Sequence, residues 1–285
     1  MSQTQLPAAP APVIQPLTFE RHGTSGWRRF SDYSFARGAA LAPLAAAEVV
    51  TAMMSMPLAL VPQNGGWQLV AMLGIGPGTN LFVGPDGRWI GDYVPAALRS
   101  YPFRIGRVAE NDQAILCIDE TAQLPLGAGV EPFFAGEKAL SPAVSQIWSF
   151  LLEIAKGEAQ LTRACGLLAE ARIVEPWPIT VGSGDQARTV EGLHRLSEAK
   201  LAALPDEQLG QLRRAGVLSL AYAQIFSGEH LKKLGELAAL QARHAEALVE
   251  AARRQSAAPV PAVQPTGAGF AFGESINVDW SKFGG

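Results

Sequence analysis

Two apolar runs, Leu58-Ala59-Leu60-Val61 and the stretch from Trp67 to Leu73, flank Pro62-Gln63-Asn64-Gly65-Gly66, and no other segment of the chain constrains the fold as tightly. Asn-Gly tolerates positive φ at both central positions of a tight turn. That turn type matches the twist of antiparallel strands. The segment therefore predicts a hairpin and an antiparallel sheet. Similar punctuation at Gly84-Pro85-Asp86-Gly87 predicts a second hairpin, between residues 80–83 and 88–90. A short helix is expected to begin at Pro95 and to end before Pro102. Residues 103–108 and 114–118 read as two further strands.

From Pro142 the period changes. Val144, Ile147, Trp148, Leu151, Ile154 and Ala155 recur at helical spacing, and the pattern continues more weakly through Leu161, Cys165 and Leu168, with Gly157 and Gly166 as soft points. A loop is expected from Pro176 through Gly182-Ser183-Gly184. Helices follow at residues 197–204, at 207–215 behind Asp206, and at 217–226. Ser227 is expected to cap a final helix, 228–253. Strands first and helices second indicate an α+β fold rather than alternating βαβ units. The domain is expected to span 17–253, strand-rich over 17–135 and helical over 140–253. A flexible Pro/Ala arm (1–16) precedes it, and a disordered linker and aromatic tail (254–285) follow.

The chain has 285 residues and a formal net charge of −3, which argues against a nucleic-acid binder, since phosphates call for a basic footprint. The apolar stretch 39–61 is divided by Pro43 and Pro57. It reads as a helix near 43–55 followed by a strand, each too short to cross a bilayer. Residues 1–16 carry neither the basic nor the apolar part of an export signal. The expected location is therefore the cytoplasm, or outside it by a route that uses no N-terminal signal. Cys117 and Cys165 sit in apolar surroundings and read as buried free thiols.

No catalytic apparatus is recognisable, and neither a metal nor another cofactor is expected. His22, His194, His230 and His244 lack metal-ligand spacing. Gly74-Ile75-Gly76-Pro77-Gly78 follows a strand but precedes another strand, so no helix N-terminus is there to hold a phosphate. Ser183 lies in a polar loop rather than in a nucleophile elbow. Asp119 and Glu120 are strand neighbours that would face opposite ways and begin a surface loop. The densest mixture of arginines, aromatics and acids lies between Asp86 and Arg107. One reading makes it a capping and core-anchoring motif. The other makes Asp92, Tyr93, Arg99, Tyr101 and Arg104 a recognition surface, with the arginines gripping a carboxylate or phosphate.

Phe270, Phe272, Ile276, Trp280 and Phe283 stand in an otherwise linker-like tail. Either they dock on a protein partner, where the alternation Ile276-Val278-Trp280 suits edge-strand addition, or they fold back on their own domain. Leu231, Leu234, Ala238, Ala245 and Leu248 fit a heptad seam that Gln241 interrupts. That seam either packs on the parent domain or joins two copies through helix 228–253.

Several blocks resemble the SapC family of bacterial proteins, in order, over roughly residues 17–240. They include Ser34-Phe35-Ala36-Arg37-Gly38 with Ala42-Pro43-Leu44-Ala45-Ala46-Ala47-Glu48, and Gly91-Asp92-Tyr93-Val94-Pro95-Ala96 with Arg99 and Tyr101-Pro102-Phe103. Leu204-Pro205-Asp206-Glu207 and Leu220-Ala221-Tyr222-Ala223-Gln224-Ile225-Phe226-Ser227 belong to them too. The resemblance implies association with a paracrystalline bacterial surface layer and supplies no catalytic residues. It also implies an accessory role in uptake or modification. It does not extend to the peptide-transporter permease of the same name. The expectation is a non-enzymatic interaction or assembly protein, surface-layer or envelope associated, binding a protein partner through its tail. The alternatives are a small-molecule or peptide-binding accessory protein, or an enzyme with its site near residues 92–104.

Overall fold

The computed structural model describes residues 12–76, 78–136, 139–181 and 188–257. In chain order, β1 (Ile14–Pro16), α1 (Phe19–His22) and β2 (Ser25–Trp27) lead to β3 (Leu41–Pro43). A 3-10 turn at Ala46–Glu48 runs into α2 (Val49–Met53), and β4 (Leu58–Gln63) and β5 (Gly66–Met72) follow. Next come α3 (Ala96–Arg99), β6 (Phe103–Arg107), β7 (Ala114–Asp119), β8 (Leu124–Pro125) and β9 (Glu131–Pro132). The long α4 (Pro142–Glu170) precedes the short strands β10 (Val174–Pro176), β11 (Ile179–Val181), β12 (Arg188–Val190) and β13 (His194–Leu196). The chain closes with α5 (Glu198–Ala202), α6 (Asp206–Arg214), α7 (Leu218–Ser227) and α8 (Leu231–Ala257). The fold is α+β. The described residues up to Ala245 form one compact unit, and those from Glu246 to Ala257 belong to a second.

The hairpin expected at Asn64-Gly65 is present. β4 and β5 pair from Leu58↔Ala71 to Gln63↔Gly66, and both turn residues take positive φ, 49° and 74°. This is the mirror-image turn whose twist fits the strands. The ladder lies in a sheet ordered β10-β13-β4-β5-β3, and a separate sheet is ordered β1-β7-β6. α4 begins where the sequence places it. Ser141 caps it by accepting from the Val144 N–H (3.4 Å), and Pro142 occupies the first turn, where no N–H is needed. At 29 residues it is about 44 Å long. It spans two cores. Its first half buries Val144 and Leu151 with Trp27, Phe103 and Phe133. Its second half buries Leu161, Cys165 and Leu168 against the five-stranded sheet.

The structure corrects several expectations. Residues 43–55 are not one helix: Pro43 ends edge strand β3, where its missing N–H costs no ladder bond, and helix starts only after the 3-10 turn. The hairpin expected between residues 80–83 and 88–90 is reduced to one bridge, Val83↔Trp89, with the Gly84 N–H donating to the Arg88 carbonyl (2.7 Å) and the Ile90 N–H to the Phe82 carbonyl (2.6 Å). The Asn80 side chain accepts from the Phe82 N–H (2.9 Å) and bends the chain out of a ladder. The span expected as loop after Pro176 carries strands on both sides of residues 182–187, which lie outside the described residues, as Ser183 therefore does. β1 begins inside the stretch assigned to the arm and pairs with β7, where its apolar Ile14 lies opposite Asp119.

Ser227 does not cap the last helix. It ends α7, accepts from the Leu58 N–H (3.0 Å) and donates to the Gln224 carbonyl (2.6 Å). β13 pairs with β4 at His194↔Leu60. Continuing that register would set Leu196 opposite Leu58. The Gln224 amide stands between them instead, accepting from the Leu196 N–H (2.7 Å) and donating to the Leu58 carbonyl (2.9 Å). One side chain thus replaces a ladder bond and ties α7 to the sheet. The heptad seam is also used internally. Leu234 is buried in the core, and Gln241 donates to the carbonyls of Leu81 (3.0 Å) and Val83 (3.2 Å). The early seam therefore packs on its own domain, and the polar position that interrupts it is a domain contact rather than a joint between copies.

The two glycines of α4 differ in their surroundings. A Cβ on Gly157 would stand 2.8 Å from the Ala45 Cβ and 3.0 Å from the Ala46 nitrogen, whereas a Cβ on Gly166 would meet nothing within 4 Å. Gly166→Ala should raise stability by up to about 1 kcal/mol through helix propensity. Gly157→Ala should lower it by about 1 kcal/mol net, because overpacking outweighs the same gain. Urea unfolding of the two variants should show midpoints shifted in opposite directions.

Candidate functional site

Between residues 39 and 61 the sequence holds one charged side chain, Glu48. The structure buries it to 5% exposure. A carboxylate removed from water needs donors, and three are supplied. The Ala45 N–H donates to Oε1 (2.7 Å), while the Tyr93 hydroxyl (2.6 Å) and the Ala96 N–H (2.8 Å) donate to Oε2. Burial, followed by the bond to Glu48 and its charge, pushes the Tyr93 phenol well above its usual range. The Arg99 guanidinium lies over the rings of Tyr93 (5.8 Å) and Phe150 (5.4 Å), with a nitrogen 3.5 Å from the Tyr93 oxygen. Trp89 stacks on Phe82 and donates through its indole to the Tyr93 carbonyl (2.8 Å). Residues 89–99 are therefore clamped onto the turn before α2.

The five residues singled out between 92 and 104 separate into different environments. Tyr93 and Arg99 meet around Glu48. Tyr101 stacks flat on Phe35 (3.9 Å between centroids, 5° between planes) in a cluster with Phe30 and Tyr33. Burial raises its pKa, and the Arg104 charge acts the other way. Arg104 is exposed on β6. Asp92 is exposed and makes no hydrogen bond or ion pair among the described residues. Tyr93 and Tyr101 thus anchor the fold, and Arg104 stands at the edge of a cleft. Phe270, Phe272, Ile276, Trp280 and Phe283 lie outside the described residues.

That cleft, about 670 Å³, is bounded by β3, the β4–β5 hairpin (Gln63, Asn64 and Gln68), α3, β6 and the middle of α4. Arg104 and Arg107 line it from β6, and Glu158 lines it from α4 beside Leu151 and Ile154. Burial and the nearby Glu48 charge hold the Glu158 carboxyl above its ordinary 4.5. The sequence carried a signal for Glu48, a lone acid in an apolar run. It carried none for Glu158, one of several acids along α4.

Asp119 and Glu120 serve the fold. The Asp119 carboxylate accepts from the backbone N–H groups of Val13 (3.1 Å) and Thr121 (3.1 Å), and Glu120 pairs with Arg21 and with buried His22 (3.1 Å). His194 packs edge-on against Trp67. Burial pushes the Cys165 thiol up to about 12 and also raises Cys117, so neither is a ready thiolate at neutral pH. Among the described residues no three His, Cys, Asp or Glu side chains converge as metal ligands would, and no helix is long and apolar enough to cross a membrane.

A different feature lies on the helical side. α2 packs against α7. Their outward faces show Val50 (72% exposed), Met54 (68%), Tyr222 (42%) and Phe226 (56%), and the two rings stack on one another. Ala47, Thr51 and Ser219 are the uncharged exposed residues of these segments, and charge enters at exposed Glu229, three residues after Phe226, and at Lys233, whose ammonium donates to the Ser55 carbonyl (3.3 Å) next to Met54.

Tyr93→Phe removes one donor from a buried carboxylate and should cost about 2 kcal/mol in urea unfolding. Glu158 gives a pH signature. Its folded-state pKa is raised, so the folded state holds its proton more tightly and stability falls as pH rises through that value. Glu158→Gln should be more stable than the parent at pH 7–8, and the advantage should vanish below 4.5. Thermal melts across pH check both limits.

No curated protein and no solved structure matches the chain. A family model described as SapC matches residues 17–234, the span that holds the Glu48 clamp, the cleft and the α2–α7 face. The chain belongs to the SapC family.

Proposed function

We propose that this is a non-enzymatic interaction protein that docks an apolar segment of a protein partner on the α2–α7 face. The observation that carries the reading is that Val50, Met54, Tyr222 and Phe226 stand exposed on two packed helices, with the two rings stacked on one another. Exposed aromatic and methionine side chains free of charge are the composition of an interface centre rather than of ordinary surface. The tail residues Phe270, Phe272, Ile276, Trp280 and Phe283 serve in this reading as a second, tethered contact. Membership of the SapC family directs the search for the partner to envelope or surface-layer components.

The test compares partner capture by the full chain, by a Met54→Asp/Phe226→Asp double variant and by a chain ending at Ser256. Both substituted side chains are exposed, so the double variant should melt within a few degrees of the parent. It should lose the partner. Loss on truncation alone would move the docking site to the tail. Retention of one and the same set by all three chains would overturn the proposal.

A further inference from the structure

We propose that the cleft between β3, β6 and α4 takes up an extended peptide segment of a partner, which adds as a strand to the open edge of β6 and sets a lysine or arginine against Glu158. The site uses none of the residues of the α2–α7 face and does not depend on the docking proposal.

Three observations select that ligand. The first is the open edge. β6 is the outer strand of one sheet and β3 the outer strand of another, and both line the cleft. The Asp119 N–H donates to the Pro102 carbonyl and the Val108 N–H to the Gln113 carbonyl, which fixes the phase of the β6–β7 ladder. Bonded positions alternate in an antiparallel pair, so Arg104 and Gly106 bond to β7, and the peptide groups of Ile105 and Arg107 point away from it. Those groups meet no hydrogen-bond partner among the described residues. On β3 the bonds of Ala40 with Leu73 and of Leu44 with Leu69 set the phase in the same way and turn the peptide groups of Leu41 outward. Two strand edges with unpaired donors and acceptors therefore border one space of about 670 Å³.

The second observation is the wall behind that edge. Side chains alternate along β6: Phe103 and Ile105 face the core that α4 completes with Leu151, and Arg104 faces the other way. A strand added beside β6 presents every second side chain to the α4 side, where Leu151, Ile154 and Ala155 line the cleft. The third is an unmatched charge. Glu158 follows Leu151 and Ile154 on one stripe of α4, and its carboxyl makes no hydrogen bond or ion pair among the described residues. Arg107 is engaged by Asp112 at 3.0 Å, whereas the charge that acts on Glu158 is a second acid, Glu48. A half-buried carboxyl beside another acid is relieved by a cation and by no anion. The open edge thus selects an extended backbone over a small amine, the wall selects apolar side chains at alternate positions, and Glu158 selects a basic residue among them.

The experiment titrates the full chain by calorimetry with the peptide acetyl-Thr-Val-Thr-Lys-Thr-Val-Thr-amide, which places valine, lysine and valine on one face. Saturable one-to-one binding is the expected result. Replacing the lysine by glutamate should abolish it, and n-butylamine, a cation without a backbone, should not bind. N-methylation of the peptide at alternate residues removes strand donors and keeps the side chains, and in at least one of the two phases it should abolish binding. Glu158→Gln should weaken the peptide about tenfold. Arg107→Pro deletes one outward N–H, a change that an edge strand accepts, and should weaken it too. Loss of the Arg107 charge would by itself favour the lysine peptide, so a weaker complex reports the missing N–H. Thermal scans establish that both variants are folded. The proposal is overturned if the peptide does not saturate, if the glutamate peptide or n-butylamine binds as well, if neither N-methylated peptide loses affinity, or if Glu158→Gln or Arg107→Pro leaves the affinity unchanged. It is also overturned if the full chain is a dimer that Arg107→Pro dissociates, which would put a second copy on this edge. Met54→Asp/Phe226→Asp should bind the peptide as the parent does, so failure of either site is read separately.

Discussion

The carboxylate of Glu48 is the interaction on which the arrangement of this chain turns. A lone ionised carboxyl in an apolar interior is strongly unfavourable, and removing one of its partners exposes that penalty in full. Three donors from two distant stretches of chain hold it: Ala45 from its own turn, and Tyr93 and Ala96 from the segment leading to α3. That segment continues through the Phe35–Tyr101 stack into β6. The position of β6, and with it one wall of the cleft, therefore follows from a charge buried some fifty residues earlier. Gly157 belongs to the same construction. α4 approaches Ala45 so closely that no side chain fits between, and the N–H of Ala45 is one of the three donors.

α4 relates the two cores. Its first turns complete the aromatic core around Trp27, Phe103 and Phe133, and its last turns complete the core beneath the β4–β5 ladder. Between them lie Ile154 and Glu158, where the helix passes the gap between sheets. A single helix that serves two cores leaves a space at the junction, which Arg107 and Glu158 help to line.

The parts of this structure that were legible in the sequence are those that depend on local chemistry. Asn64-Gly65 specifies its turn through two positive φ values, and Ser141-Pro142 specifies a helix start through one side-chain acceptor and one missing donor. β10 to β13 were illegible because strands of three residues have no period to detect, and Gln224 completes one of their pairings from another element. The hairpin at residues 80–90 stops at one bridge because Asn80 takes the Phe82 N–H that a longer ladder would have used. At the candidate site, Arg99 lies against Tyr93, and the group that holds Tyr93 is Glu48, outside the stretch that drew attention. Asp92 shared that stretch with them and nothing else. The exposed face of α2 and α7 was hidden for a different reason. An apolar helix reads as buried in sequence, and only packing decides which of its residues the sheet covers.

Gln224 and Ser227 have a consequence for the face on the other side of their helix. Their side chains join α7 to the backbone of β4 and β13 through three hydrogen bonds. Tyr222 and Phe226 therefore project from a helix that cannot rotate or slide without leaving buried peptide groups unmatched. Such a surface is rigid before anything reaches it, so little conformational entropy remains to be lost on its side when a complex forms. Any adaptation falls to the arriving molecule, which must conform to a fixed template of two rings and two aliphatic side chains.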